Sequence, residues 1–317
     1  MPRSPEFFRS LANGSGYRLE SLEKVIRLGE LLAELDGEAD LNEKLALRGG
    51  TALNLEQSSP PRLSVDIDLD YVGFVDRNAM VADKCEVIAS VRRIAVDLGY
   101  RIQERDEHAG TSITLIYQNA AGTSDYVKID ISWTNRVGIE PRRRVRLWQP
   151  GGLDLVEFTL VGRADLIAGK FRALIDRIAA RDVFDAVRIS ERLGAAWPPP
   201  EVKAAFIFLT GTLSLPLTAY GLERLDRLTP EDFEKNLLPM LDPNIQLTRE
   251  ELIEQAKMAL EPLLNFSAHE SDFIESLDQG HLKPELLFAA DDAERLAQHP
   301  HLCWKAQNRR DHLNKKP

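Results

Sequence analysis

Residues 64–71, Ser-Val-Asp-Ile-Asp-Leu-Asp-Tyr, alternate without interruption. Val65, Ile67, Leu69 and Tyr71 share one face of an extended chain, and Ser64, Asp66, Asp68 and Asp70 share the other. A helix would scatter both sets around its axis, so the segment reads as a strand with one buried side. Such a strand cannot stand alone, because its apolar side has to be covered by other elements.

The flanking sequence supplies them. Ser21 to Leu35 repeats Leu22, Val25, Ile26, Leu28, Leu31 and Leu32 at helical spacing. Leu45-Ala46-Leu47-Arg48 reads as a short strand stopped by Gly49-Gly50, after which Thr51 can cap a short helix running to Leu55. A long helix is expected over 77–98, then strands near 100–104, 112–117 and 126–132, with a further strand over 143–148. Beyond residue 160 the periodic segments are helical, including 164–178 and 183–193, and Pro198-Pro199-Pro200 marks a linker. The expected class is α/β (α+β): a mixed sheet flanked by helices over residues 1–160, followed by an all-helical C-terminal domain over 161–317.

The polar face of the 64–71 strand carries chemistry. Residues i and i+2 of a strand lie about 6–7 Å apart and point the same way, so Asp66 and Asp68 can converge on one site. Two carboxylates brought together repel unless a cation joins them, and Mg²⁺ suits a pair of carboxylates because water and phosphate oxygens complete its shell. A solvated strand face is the plain alternative. Val127-Lys128-Ile129-Asp130-Ile131-Ser132 alternates too, and leaves Asp130 on its polar face as a third carboxylate, able to bind metal or take a proton from a hydroxyl. Gly49-Gly50-Thr51 between a strand and a helix allows close approach of main-chain N–H groups to a phosphate.

The order of these features is more specific than any one of them. Residues 46–69, Ala-Leu-Arg-Gly-Gly-Thr-Ala-Leu-Asn-Leu followed by Arg-Leu-Ser-Val-Asp-Ile-Asp-Leu, resemble the signature of the AbiEii/AbiGii nucleotidyltransferase-like toxins of the polymerase-β-type superfamily. Ala164-Asp165-Leu166-Ile167-Ala168-Gly169-Lys170-Phe171-Arg172, with Arg177, Arg181-Asp182 and Asp185 after it, resembles that family's second signature. The resemblance covers residues 46–190. It implies the nucleotidyltransferase fold, with Gly49, Gly50 and Thr51 at the nucleotide, Asp66, Asp68 and Asp130 at Mg²⁺ in a two-metal arrangement, and Ser64 as a sensitive serine beside the pair. It implies Lys170 and Arg181 at the triphosphate and Asp182 in the functional set. It also implies a toxin whose partner is a cognate antitoxin encoded nearby, acting in a toxin–antitoxin or phage-defence system and transferring NMP from an NTP to RNA, with the tRNA 3′ end the leading acceptor. Gly50 stands where the family often has serine, and Asp70 matches no role in the pattern.

At 100° per residue Lys170, Arg177 and Arg181 would form one basic line beside an apolar stripe of Ile167, Phe171, Leu174, Ile175 and Ile178. That line is either a triphosphate or RNA contact or a solvated face, and Asp182 could instead be a helix N-cap. Arg142, Arg143, Arg144 and Arg146 give a second basic run, a candidate RNA contact or a solvated stretch.

The formal net charge of −10 excludes a chain coated in positive charge, yet the distribution is uneven. Residues 201–317 hold 13 Lys and Arg against 20 Asp and Glu, whereas residues 141–188 hold 10 against 6. Two cysteines suggest no disulfide scaffold, His299, His301 and Cys303 are too few and too crowded for a zinc motif, and no apolar run approaches a membrane span or a secretory leader. A cytoplasmic protein without membrane contact is expected. Two rivals share the sequence: the same transfer onto a protein or a small molecule such as an antibiotic, and a catalytically silent binder of nucleotide or partner.

Overall fold

The computed structural model describes residues 4–314. They gather into two compact units, each interrupted along the chain. The first holds residues up to 136, 142–161 and 237–246; the second holds 137–141, 162–236 and those from 247 onward.

The first unit contains helices α1 (Pro5–Ser15), α2 (Leu19–Gly37), α3 (Ala39–Asn42), α4 (Gly49–Leu55) and α5 (Arg77–Asp97). Its strands are β1 (Leu45–Arg48), β2 (Asp66–Tyr71), β3 (Arg101–Asp106), β4 (Gly110–Gln118), β5 (Ser124–Ser132), β6 (Arg143–Leu147) and β7 (Val156–Leu160). All seven strands join one sheet in the order β3-β4-β5-β2-β1-β7-β6. The sheet is mixed, as expected: β2 runs parallel to β5 and antiparallel to β1, and β1 runs parallel to β7.

The alternating strand thus becomes the centre of the sheet. Ile67, Leu69 and Tyr71 are wholly buried with Leu22, Ile26, Leu45, Leu47, Ile113, Leu115, Ile129 and Phe158. At roughly 1.5–3 kcal/mol for each large apolar side chain taken from water, this layer fixes the register of β2. A slip by one residue would put three aspartates into it. The far end of β2 is pinned as well, since the Tyr71 hydroxyl donates to Asp83 Oδ2 at 2.6 Å and Lys44 Nζ pairs with Asp83 Oδ1 at 2.6 Å.

Helix α1, the short α3 and strand β7 of this unit lie outside the sequence reading. Helix α1 is capped by Ser4, whose side chain accepts from the Phe7 N–H, with Pro5 in its first turn. Strand β7 separates β6 from β1 and carries Phe158 and Leu160 into the core.

The second unit is helical: α6 (Arg163–Arg177), α7 (Ala180–Leu193), α8 (Pro200–Thr210), α9 (Pro230–Asp232), α10 (Arg249–Leu260), α11 (Ala268–Asp278), α12 (Ala290–Leu296) and α13 (Pro300–Leu313). Thr248 and Ser267 begin α10 and α11 with reciprocal caps to Glu251 and Glu270. Residues 137–141 are tied to the start of α6 by the N–H groups of Ile139 and Glu140, which donate to Asp165 at 2.7 and 2.8 Å. No helix among the described residues is long and apolar enough to cross a membrane.

Candidate active site

Strand register assembles the first unit's site. Arg48 of β1 stands opposite Asp68, Asp68 opposite Asp130 of β5, and Asp130 opposite Ser112 of β4. Two residues back along β2, Asp66 faces Lys128. The expectation that β5 brings its aspartate beside the β2 pair is met at the level of the backbone.

The glycine turn fits against this row. Gly49 has φ of 73°, a left-handed conformation, and a Cβ there would stand 2.3 Å from Asp68 Oδ2. Only glycine lets the strand-to-helix turn lie on that carboxylate. A Cβ on Gly50 would stand 2.7 Å from the Arg62 guanidinium and 2.9 Å from Ser64 Oγ. Arg62 and Ser64 are both buried, and Arg62 Nη1 donates to the Leu63 carbonyl at 2.9 Å. Thr51 differs from its expected role. It lies inside α4 rather than capping it, and its hydroxyl donates to the Asp66 carbonyl at 2.5 Å, which ties the turn to the head of β2.

The acidic residues of β2 divide into two kinds. Asp70 is buried, pairs with Arg48 Nε at 2.9 Å and accepts from Asn135 Nδ2 at 3.1 Å, so it braces neighbouring segments. Asp66 and Asp68 are half-buried and reach the solvent side. Asp130 is held on both oxygens, Oδ1 accepting from Ser112 Oγ at 2.6 Å and Oδ2 pairing with Lys128 Nζ at 2.8 Å. Burial opposes the charge of Lys128, but the Asp130 hydrogen bond, then the charges of Asp130, Asp66 and Asp68, outweigh it and hold the ammonium above its ordinary range.

Among the described residues no three His, Cys, Asp or Glu side chains converge closely enough to hold a metal ion unaided, and this includes His299, His301 and Cys303. His299 instead caps α13, its Nδ1 accepting from the Leu302 N–H. Two adjacent carboxylates open to solvent still fit Mg²⁺, which binds through one or two carboxylates and fills its shell with water and substrate oxygens. The donors are hard oxygens throughout, and the absence of a Cβ at Gly49 leaves the Asp68 carboxylate its position.

The second unit holds the other sequence-derived residues. Lys170 Nζ lies 2.8 Å from both Asp182 Oδ1 and Asp185 Oδ2, and Arg177 Nε lies 2.6 Å from Asp182 Oδ2. The Lys170, Asp182 and Asp185 side chains are 6%, 2% and 1% exposed, so Lys170 does not lie on an open basic face. Burial would raise the Asp182 carboxyl, but the Lys170 charge and the Arg177 guanidinium overcome it and hold the group far below its usual range.

The expected basic line is broken by the backbone. Helix α6 ends at Arg177, Ile178 turns left-handed at φ of 52°, and the chain restarts as α7 at Ala180. Arg181 therefore belongs to a different helix from Lys170, and 100° spacing no longer relates them. Asp182 is the third residue of α7 and not its N-cap, which is Ala179.

The arginine run is engaged within its own unit. Arg142 donates to the Glu43 carbonyl, Arg143 pairs with Glu56 at 3.0 Å, and Arg144, on the edge strand β6, pairs with Asp36 at 2.5 Å and Glu157 at 3.3 Å. These carboxylates neutralise much of the positive charge that made the run a candidate for RNA.

Sequence reasoning named Lys128 and Asp185 but gave neither a role. Both carried a readable signal: Lys128 is two residues from Asp130 on the same strand face, and Asp185 is one helical turn from Asp182.

Comparison with known proteins matches residues 30–289 to the family model described as "Nucleotidyl transferase AbiEii toxin, Type IV TA system". Among solved structures, MenT4, a nucleotidyltransferase toxin from Mycobacterium tuberculosis H37Rv, aligns with a TM-score of 0.64 at 14% identity, over 98% of this chain and 99% of that one. At that identity the likeness speaks for the fold. An antigenic nucleotidyltransferase-like protein from Paracoccidioides brasiliensis aligns with a TM-score of 0.36 at 16% identity, over 59% of this chain and 87% of that one. No curated protein sequence matches.

Proposed function

We propose that this chain, which belongs to the AbiEii family of nucleotidyltransferase toxins of type IV toxin–antitoxin systems, uses Mg²⁺ to transfer NMP from an NTP to RNA, with the tRNA 3′ end as the leading acceptor. Membership makes it a nucleotidyltransferase with an antitoxin as counterpart. The observation that supports the chemistry is the row across β1, β2 and β5, in which the glycine turn lies on Asp68 and Asp130 stands in register beside it.

In this reading Asp66 and Asp68 hold the divalent ion, which supplies charge neutralisation on the nucleotide phosphates. The Gly49-Gly50 turn, packed against the Asp68, Arg62 and Ser64 side chains, receives the phosphates on its main-chain N–H groups. Asp130, as ligand of the metal or as base, helps an acceptor hydroxyl attack the α-phosphorus, and pyrophosphate leaves. Ser64, buried at Gly50, and Thr51, bonded to Asp66, keep the turn and the pair in place. By family correspondence Lys170, Arg181 and Asp182 belong to the functional set, and within the second unit Asp182 orients Lys170, to which it is already bonded. The proposed setting is the cytoplasm, where NTP and RNA are available.

Each of the four α-³²P-labelled NTPs, incubated with total RNA, cell protein and Mg²⁺, tests the reading. Label on RNA, lost on chelation and in Asp66→Asn, is the expected result. Label on protein alone would transfer the same chemistry to another acceptor, and no label anywhere would leave the binding rival.

A further inference from the structure

Lys128 is the cation of the carboxylate face that is bonded to Asp130, whereas Arg48 pairs with Asp70. The face carries Asp66, Asp68 and Asp130, and register sets Lys128 opposite Asp66 and two residues before Asp130. Its ammonium bonds Asp130 Oδ2, while Ser112 occupies Oδ1. Both oxygens of the third carboxylate are thus taken by donors of the same sheet. Lys128 and Asp130 are 40% and 34% exposed, so neither is locked into the core.

The contacts decide how cations can load. With both Asp130 oxygens engaged, a first divalent ion is left with Asp66 and Asp68. A second would have to displace the ammonium from Asp130. A triphosphate changes this, because it brings several negative charges and gives the ammonium another partner.

We propose that Lys128 gates the third carboxylate: it reserves Asp130 while the nucleotide site is empty, so that a single divalent ion binds at Asp66 and Asp68, and it releases Asp130 to a second ion when phosphate arrives. This rests on the nucleotidyltransferase reading of the same face. Lys128 is then a positioning residue, acting through Asp130, and it makes nucleotide a condition for completing the site. Ser112 keeps the carboxylate aligned while its other oxygen changes partner.

The test is Mn²⁺ binding to the nucleotide-free protein, followed by the electron paramagnetic resonance of the free ion. Wild type is expected to bind one Mn²⁺, and a non-hydrolysable α,β-methylene triphosphate, tried for each base, to raise this to two. Lys128→Met is expected to bind Mn²⁺ about tenfold more tightly or to take a second ion without nucleotide, because a nearby positive charge is gone. Lys128→Arg keeps the charge and should behave as wild type, and Lys128→Met combined with Asp130→Asn should lose the gain. Equal Mn²⁺ affinity and stoichiometry in wild type and Lys128→Met, both folded by circular dichroism, would overturn the gate. Absence of Mn²⁺ binding that depends on Asp66 would instead overturn the reading beneath it, and the gate with it.

Discussion

The two charged clusters differ in how deeply they are buried. On the sheet face Asp66, Asp68, Lys128 and Asp130 are all partly open to solvent. In the helical unit Lys170 and Arg177 meet Asp182 and Asp185, with three of the four side chains almost wholly buried. An exposed cluster can take a cation from outside, whereas a buried one is closed on its own partners. Both came from the same family signatures, yet the first is arranged as a binding surface and the second as an internal brace that a ligand would have to compete with. Removing one charge should therefore cost function with little stability in the first, and folding stability before anything else in the second.

The largest effect is expected at the open face. Asp66→Asn and Asp68→Asn should each lower nucleotidyl transfer at least about 10³-fold, since the ion they hold neutralises several kcal/mol of charge at the phosphates. Their urea midpoints should stay near wild type, because neither carboxylate is part of the core. A variant that lost activity only in proportion to lost folded protein would erase the contrast.

Lys170→Met turns the comparison around. It leaves Asp182 and Asp185 buried without their ammonium, and breaking a buried pair from one side costs roughly 3–4 kcal/mol. Chemical denaturation should show that loss, and adding Asp185→Asn should recover part of it. An unchanged midpoint would mean that the cluster is looser than its 2.8 Å contacts indicate.

These clusters also mark how far local pattern reaches. β2 and β5 could be read directly, because period-two alternation is a property of six to nine consecutive residues and the buried apolar side enforces it. Which strands become neighbours is not local, and β7 escaped notice because Val156-Glu157-Phe158-Thr159-Leu160 is short and follows a Pro-Gly-Gly turn. The break at Ile178 had no warning either, since a β-branched residue is among the least expected at positive φ. That single residue moved Arg181 off the Lys170 helix. The same applies to residues 137–141 and 237–246, which belong to the other unit than the sequence on either side of them.

Acidity probes the closed unit from another side. His301 on α13 is pushed down to about 4 by burial, with the charges of Arg172 and Lys305 adding to it. The folded chain therefore binds fewer protons there than the unfolded chain between about pH 4 and the ordinary histidine value near 6.5. Stability must fall as the pH drops through that window, by about 2 kcal/mol between pH 7 and pH 5. Urea titrations at the two pH values should show the difference, and His301→Gln should flatten it. A dependence that survives the substitution would assign the effect to another group.

The smallest effect comes from making one change, glycine to alanine, in each region. Gly169 lies inside α6 with nothing within 4 Å of where its Cβ would stand, so alanine there should stabilise the protein by about 0.5–1 kcal/mol through a more restricted unfolded chain. Gly49 has a left-handed backbone and the Asp68 carboxylate 2.3 Å from the same point. Alanine there should destabilise by roughly 1–2 kcal/mol from the backbone alone. It should also displace the carboxylate that holds the metal, so activity falls further than stability does. The ratio of the two losses is the informative quantity. If transfer by Gly49→Ala, corrected for folded protein, equals wild type, then Asp68 can move without consequence and the close turn serves only the fold; a residual loss of tenfold or more assigns the glycine to the site.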